Sequence, residues 1–314
     1  MEVTMDNRNH PEVVAVGHLC LDRILICEDF PSENTSKHIL HYSQQPGGTA
    51  SQAVVALARL GIRTGYMSPM GDDEIGRALV QGIAEEGVDV SMCPTIHNAI
   101  SHFTDVLVNS KNNTRTFLSY HGKFPAMDFD DKNADYISRA KILHLDNTNN
   151  TNALKAAKIA KEHGVLVSLD GSSLNPDNNR NLELVKLTDI LITSETFPTR
   201  LTGIEDQKEA LRFIAEEYHP SVLISTCGEK GSLAYADGRL KSYPSYSIKA
   251  ADTTGAGDAF HGAFLFGLLK GYDLSYNIQF SSAAAAINCQ SIGGRAGLPH
   301  YADVIRFMEL HSYA

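Results

Sequence analysis

The chain has 314 residues, 43% of them hydrophobic, so it is long enough to bury a large core in one domain. Its formal net charge is -10 and no cluster of Lys and Arg stands out, which argues against nucleic acid as the main partner. Five scattered cysteines without a C-x-x-C pair argue against a zinc site or a disulfide framework, and a polar N-terminus without any long apolar run argues against secretion and membrane insertion. We therefore expect a cytoplasmic protein.

The first predicted elements are a buried strand and the strands of a small separate sheet. Residues 13–17 (VVAVG) form a short apolar run that ends in glycine, which is typical of a buried strand. Asp22 follows just past its end, where ligands of open α/β sheets bind, although a solvated loop aspartate would have the same pattern. The segments 24–45, 100–108 and 115–121 have strand character and interrupt an otherwise α/β chain.

Two glycine-containing turns then lead into helices. Residues 46–61 combine a Gly-Gly turn with an amphipathic helix that ends at Gly61, and residues 65–79 predict a strand followed by a helix. Asp72 and Asp73 lie between that strand and helix. We interpret them as helix caps and first-turn charges rather than as metal ligands.

The second half of the chain alternates strands with helices, which predicts a parallel sheet. The strand segments are 141–145, 165–170, 189–193 and 221–226, and the helical segments are 151–164 and 207–218. A loop with Thr226, Gly228 and Gly231 follows the last of these strands, and Asp237-Gly238 predicts a hairpin turn. The final segment, 280–299, is a helix rich in small residues that ends in a glycine-rich loop.

The stretch Asp252–Gly271 carries the clearest chemical signal. Its turn, Gly255-Ala256-Gly257, can present consecutive N–H groups, and the apolar run behind it predicts a buried helix whose N-terminus favours an anion. Asp258 would repel that anion, so it either caps the helix or takes part in proton chemistry on a bound ligand. The sequence has no Walker A loop, and its thirteen histidines show no H-E-x-x-H spacing, so we interpret them as core or surface residues.

D-T-T-G-A-G-D-A-F-H-G-A, residues 252–263, resembles the C-terminal signature of the ribokinase-like (PfkB) carbohydrate kinases, and residues 46–61 resemble their N-terminal signature. The resemblance implies a doubly wound α/β fold: a mostly parallel sheet with helices on both faces, in a single domain over 1–314. It also implies a small β-sheet lid formed by roughly 24–45 and 98–122. The implied activity is ATP-dependent phosphorylation of a hydroxyl of a small sugar, with Mg²⁺, and a homodimer through the lid is compatible with it.

Carried over residue by residue, the resemblance implies that Asp258 is the base and that the amides of Gly255, Ala256 and Gly257 form the anion hole for the transferring phosphoryl group. Phosphoryl transfer does need a positioned carboxylate and preorganised N–H donors more than covalent help. The implied sugar contacts are Asp22, Gly47, Gly48, Gln52 and Asp146. The implied ATP contacts are Ser194, Thr226, Gly228, Gly231 and Ser282. The implied site for a monovalent cation, potassium, is formed by Asp252, Thr254, Asn288, Ser291, Gly293 and Gly297.

The chain departs from the family pattern at three places. Gln52 stands where the family usually has Asn, so the carboxamide lies one methylene further out. Ser194 and Phe197 stand where Asn-x-x-Glu usually orders hydrated Mg²⁺, and Glu195 is either a substitute or a helix-start residue. Asp170, at another strand end, lacks the Asp-x-Asn-x-Arg pattern of some sugar-acid kinases. The alternatives are a nucleoside kinase of the same fold and a catalytically weak sugar or nucleotide sensor.

Overall fold

The computed structural model describes residues 10–112, 114–147, 150–172 and 178–313. The strands are β1 (Val13–Val16), β2 (Cys20–Cys27), β3 (His41–Gly47), β4 (Thr64–Met67), β5 (Met70–Gly71), β6 (Thr95–Ile96), β7 (Phe103–Asn109), β8 (Thr114–Tyr120), β9 (Ile142–Asp146), β10 (Leu166–Gly171), β11 (Ile190–Ser194), β12 (Val222–Thr226), β13 (Ser232–Ala236) and β14 (Arg239–Tyr243). The helices are α1 (Thr49–Arg59), α2 (Glu74–Ala84), α3 (Asp131–Ser138), α4 (Asn150–Glu162), α5 (Asn178–Lys186), α6 (Phe197–Thr202), α7 (Gln207–Tyr218), α8 (Ala256–Lys270), α9 (Leu274–Asn288) and α10 (Tyr301–Leu310).

The main sheet has the strand order β14-β13-β12-β11-β10-β9-β1-β4. The strands from β4 to β12 in this order are parallel, and the hairpin of β13 and β14 adds two antiparallel strands at one edge. Successive residues of a strand point to opposite faces, so a strand covered by helices on both sides is apolar throughout. Val14 and Leu143 pack on the side of α3 to α7, whereas Val13 and Ile142 pack on the side of α1, α8, α9 and α10. This confirms the predicted doubly wound α/β fold.

The order of the strands reverses at β1, which has β4 on one side and β9 on the other. A crevice opens beyond the carboxyl ends of the strands at such a point, and ligands of open α/β sheets usually bind there. Asp146 is the last residue of β9, so its carboxylate lies at this crevice. The main sheet therefore positions one predicted sugar contact directly.

Four further strands form a separate sheet with the order β3-β2-β7-β8. Its strand β2 begins at Cys20, so Asp22 lies within a strand, and of the two interpretations left open by the sequence the solvated loop aspartate does not apply. The strand extends this far because it pairs with β3 and β7, which are distant in the chain. The cross-strand register puts Asp22 and Arg115 on the same face, and Arg115 Nη1 donates to Thr254 Oγ1 at 3.1 Å. That face is therefore turned towards the Gly255 turn.

Local signals in the sequence set several boundaries correctly. Asp237 and Gly238 have φ of 53° and 75°, as a two-residue hairpin turn requires, and Asp73 caps α2 by accepting a hydrogen bond from Gly76 N at 2.9 Å. The helices α3, α5 and α10 were not predicted, whereas α6 begins two residues after Glu195, which we interpreted as a possible helix start. In the described part of the chain no helix is long and apolar enough to cross a membrane.

Candidate active site

The Gly255 turn leads directly into α8. Gly255 has φ of 75°, and a Cβ at this position would lie 2.6 Å from backbone atoms of Gly294, so only glycine fits. Ala256 N–H donates to Thr253 O at 3.3 Å, whereas a Cβ on Gly257 would meet no atom within 4 Å. The turn is thus anchored at Gly255 and open at Gly257, next to the positive end of the helix dipole.

Asp258 lies in the first turn of α8 and is half-buried, and among the described residues its side chain makes no capping hydrogen bond. Burial raises the pKa of Asp258 well above the ordinary value of an aspartate. The negative charges of Asp170, Asp146 and Asp22 raise it further, by smaller amounts. A capping aspartate accepts N–H bonds, which lower its pKa. Of the two interpretations that the sequence left open, these surroundings favour proton chemistry over capping.

The structure brings four of the predicted sugar contacts together at the crevice. Asp146 Oδ2 accepts a hydrogen bond from His18 N at 2.8 Å. Gly48 has φ of 107° and packs on the backbone carbonyl of His18. A Cβ added at Gly48 would lie only 2.0 Å from that carbonyl oxygen. Asp22 packs on Gly47 with its Oδ2 only 2.3 Å from where a Cβ would be, and burial raises the pKa of Asp22. Gly47 therefore lets the Asp22 carboxylate approach the backbone closely, and Gly17 does the same for Asp146, whose Oδ2 lies 2.3 Å from where a Cβ of Gly17 would be.

Gln52 differs from these four because protein groups take up its carboxamide. Its Nε2 donates to Pro46 O at 2.7 Å, its Oε1 accepts from Arg295 Nε at 2.9 Å, and the side chain is 3% exposed. Arg295 is itself buried, its Nη2 has no partner among the described residues, and burial lowers its pKa to about 10. Gln52 thus binds the backbone of the segment before Gly48 through Pro46, and its buried carboxamide is not exposed in the open crevice.

Further along the same edge of the sheet lie the predicted ATP contacts. Ser194 ends β11 and Thr226 ends β12, and the two residues pair in register. In the loop that follows, Gly228 and Gly231 have φ of 58° and 88°. A Cβ on Gly231 would lie 2.0 Å from Tyr243 O, whereas a Cβ on Gly228 would meet nothing within 4 Å. Gly231 is therefore required for packing on β14, and Gly228 is the residue that faces open space.

The remaining features of the nucleotide end are less direct. Ser282 is half-buried on α9, and its contact with a nucleotide stays a prediction. Phe197 begins α6 and is 1% exposed, so this position contributes to the core and offers no carboxylate. Glu195 lies just before α6 and pairs with Lys230 of the loop after β12 (Oε1 to Nζ, 2.9 Å).

Asp252 faces the loop after α9, as we expected. It accepts hydrogen bonds from Thr254 N and Gly293 N, both at 3.0 Å, and Asn288 Nδ2 donates to Thr254 O at 3.0 Å. Burial alone would raise the pKa of Asp252, but the bonds from Thr254 and Gly293 outweigh it and lower the pKa. Asn288 Oδ1 is buried without a partner among the described residues, and a bound cation would satisfy such an oxygen. The other predicted members of this site touch Asn288 in the same loop: Ser291 and Gly297.

Three histidines meet next to the sugar end of the crevice, which the sequence analysis missed. One ring nitrogen of each of His18, His102 and His121 lies within 4.8 Å of the others. Burial, with the neighbouring imidazoles, lowers the pKa of His18 to about 4 and that of His102 to about 3, so both are neutral at pH 7. His102 Nδ1 accepts from Gly122 N at 2.8 Å, so its Nε2 carries the hydrogen and is a donor rather than a metal ligand. These residues are far apart in the chain, and no spacing could have indicated them.

Known proteins resemble this chain over almost its whole length. Residues 10–301 match the model of the pfkB family carbohydrate kinases. The chain is 27% identical over 304 residues to ribokinase of Haemophilus influenzae, across 95% of this chain and 98% of the relative. It is 27% identical over 298 residues to a nucleoside kinase of Methanothermobacter thermautotrophicus, across 94% of each chain. The structure of Arabidopsis thaliana ribokinase complexed with ribose and ATP shares the fold, with a TM-score of 0.85 over 95% of this chain and 98% of that chain at 23% identity.

Proposed function

The chain belongs to the pfkB family of carbohydrate kinases and is an ATP-dependent kinase, and from this premise we propose that it phosphorylates a hydroxyl of a small sugar or sugar derivative with Asp258 as the general base. The observation that carries the proposal is the carboxylate of Asp258, which has no capping bond within the described part of the chain and whose pKa is raised by burial and by neighbouring carboxylates. A base must be ionised before the reaction and hold the proton during it, so a pKa closer to neutral pH makes it more effective.

Each end of the cleft would bind one of the two substrates, the sugar or ATP. Asp22 and Asp146 offer oxygens to sugar hydroxyls, while the phosphates of ATP would lie towards Thr226 and Gly228. Asp258 takes the proton of the acceptor hydroxyl as that oxygen bonds to the γ-phosphorus, and the bond from phosphorus to ADP breaks. The N–H groups at the start of α8 stabilise the charge on the transferring phosphoryl oxygens.

The two implied metal ions fit the chain differently. Phe197 is in the core and Glu195 is held by Lys230, so we derive no step through a magnesium ion bound to protein at this position. Mg²⁺ would arrive with ATP and neutralise phosphate charge. Potassium fits the oxygens of the loop after α9, where Asn288 Oδ1 has no partner among the residues described, and it would add positive charge beside the Gly255 turn.

We propose that the small sheet β3-β2-β7-β8 is the lid of the site, and that two copies of the chain form a dimer by contact between their lids. Arg115 links the inner face of the sheet to Thr254, and a closed lid would keep water from competing as phosphoryl acceptor. The outer face exposes Tyr42 and Leu118, which supports a homodimer. Sedimentation velocity should report twice the 34.2 kDa chain mass, and a single chain mass at all concentrations would contradict the dimer. All five cysteines are free, in keeping with a cytoplasmic location.

A substrate panel tests the proposal. The wild-type chain with MgATP is offered one pool of free pentoses, hexoses and sugar acids and a second pool of nucleosides, and products are identified by the added mass of one phosphoryl group. A phosphorylated sugar supports the proposal, whereas products from the nucleosides alone identify a nucleoside kinase. Binding without turnover in either pool identifies a sensor. The Asp258→Asn variant, run in parallel, controls for contaminating kinases.

A further inference from the structure

Behind Asp258, three polar residues are buried where the main sheet packs against α8. His144 on β9, Asp170 on β10 and His261 on α8 are each at most 4% exposed. Asp170 pairs in register with Asp146, so both carboxylates leave the sheet on the same face. His261 lies three residues after Asp258 and therefore on the same side of α8. The group is thus continuous with the catalytic carboxylate.

The hydrogen bonds within this group are incomplete. Asp170 Oδ1 accepts from Ser172 N at 2.8 Å, whereas its Oδ2 lies 3.9 Å from His261 Nδ1, slightly beyond hydrogen-bond distance. Within the described ranges, His261 Nδ1 and His144 Nε2 are buried without a partner, and His144 Nδ1 contacts Ser168 Oγ at 3.1 Å. Leaving a buried polar atom unpaired costs about 1–3 kcal/mol, so packing alone would favour apolar side chains here.

A single proton completes the contact between Asp170 and His261. When the one hydrogen of neutral His261 is on Nε2, a lone pair on Nδ1 faces the lone pairs of Oδ2, which is unfavourable in a site from which water is excluded. With one more proton, the two atoms can close into one hydrogen bond after a small movement, whichever of them carries the proton. When Nε2 also carries a hydrogen, the pair is neutral with this proton and carries one negative charge without it.

We infer that Asp170 and His261 share one proton behind Asp258, and that the charge of this pair sets the pH range in which Asp258 works as a base. The inference rests on the proposed function and adds two positioning residues to it. Neither residue needs to touch the substrate, because a negative charge behind a carboxylate changes how readily that carboxylate accepts a proton.

The groups facing the catalytic carboxylate agree with this role. Asp22 and Asp146 approach it from β2 and β9, while burial keeps His144 and His261 neutral by lowering their pKa values to about 3 and about 4. Burial also raises the pKa of Asp170 to about 6, so the charge of Asp170 changes close to neutral pH. Without that negative charge the catalytic carboxylate would lose its proton at a lower pH.

The test is the pH profile of Asp170→Asn. Initial rates are measured with MgATP and a limiting pool of pentoses and hexoses, so that they follow kcat/KM. We expect the acidic limb of the profile to move down by about one pH unit relative to wild type. Asp89→Asn is the matched control: Asp89 accepts hydrogen bonds from Tyr136 and Ser91 next to the amino end of β4, far from the site, and its removal should leave the limb in place.

An acidic limb of Asp170→Asn at the wild-type position would overturn the inference even if the rate fell, because a merely structural role lowers the rate without moving the limb. Should this variant fail to fold, ¹⁵N NMR of the wild-type imidazoles decides, with His261 assigned from His261→Phe. A His261 Nδ1 shift between the protonated and unprotonated values supports proton sharing, and a fully protonated or fully unprotonated value at every pH overturns it. Failure of the proposed function would look different, as full turnover by Asp258→Asn.

Discussion

Two carboxylates flank the Gly255 turn, and their surroundings are opposite. Asp252 accepts hydrogen bonds from Thr254 and Gly293, which lower its pKa although burial opposes this. Asp258 has no capping bond from any residue that the structure describes, and burial and nearby carboxylates raise its pKa. One acid therefore holds a loop in place, while the other is left ready to accept a proton. Their neighbours, not their spacing around the turn, set these roles.

The largest effect should come from disturbing the turn between the two acids. Gly255→Ala places a side chain at φ of 75° with its Cβ 2.6 Å from Gly294. We expect the free energy of unfolding to fall by about 3 kcal/mol or more, from backbone strain and overpacking together. Gly257→Ala is the matched control, because its Cβ meets no atom within 4 Å, and its free energy of unfolding should stay within about 1 kcal/mol of wild type. Urea unfolding measures both, and equal losses would contradict the described turn.

Replacing each of the two acids by Asn should change the free energy of unfolding less than Gly255→Ala does. The change should have opposite signs for Asp252 and Asp258. Asp252→Asn cannot accept from both Thr254 and Gly293, so near neutral pH it should lose about 2 kcal/mol of stability. Because the folded pKa of Asp252 is lowered, this loss should vanish as the pH falls through that value. Asp258→Asn should be at least as stable as wild type near neutral pH, because it removes a carboxylate that resists ionisation when folded.

For Asp258→Asn the difference from wild type should vanish in acid, where the carboxyl of the wild type is protonated in both the folded and the unfolded chain. Thermal unfolding of both variants and the wild type as a function of pH measures these signs. A loss of stability in Asp258→Asn near neutral pH would contradict the surroundings described for this residue.

Features encoded over a few neighbouring residues could be predicted from the sequence. The apolar runs indicated the parallel strands, and the glycines with Asp258 indicated the turn and the helix behind it. The Asp237-Gly238 turn was also correct, because its backbone conformation depends on those two residues alone. The sequence left open whether Asp258 is a cap, since that depends on carboxylates from other strands.

Contacts between distant residues could not be predicted. Gln52 resembles a ligand residue in sequence, yet its carboxamide is bound by Pro46 and Arg295, and Arg295 is 243 positions away. His144 and His261 meet only because β9 and α8 pack together. Neither periodicity nor a spacing motif encodes such a meeting. Whether Asp22 lies in a loop was left open for the same reason, since the start of β2 depends on strands that pair with it later in the chain.

The most direct measurement of the central claim is the rate of phosphoryl transfer in a single turnover by Asp258→Asn, with ATP and the accepted sugar bound before mixing with Mg²⁺. The account predicts that the rate falls by about 10²- to 10⁴-fold while the Kd values of ATP and sugar stay at their wild-type values, because only the base is removed. A wild-type rate in this variant would contradict the assignment of Asp258 as the base.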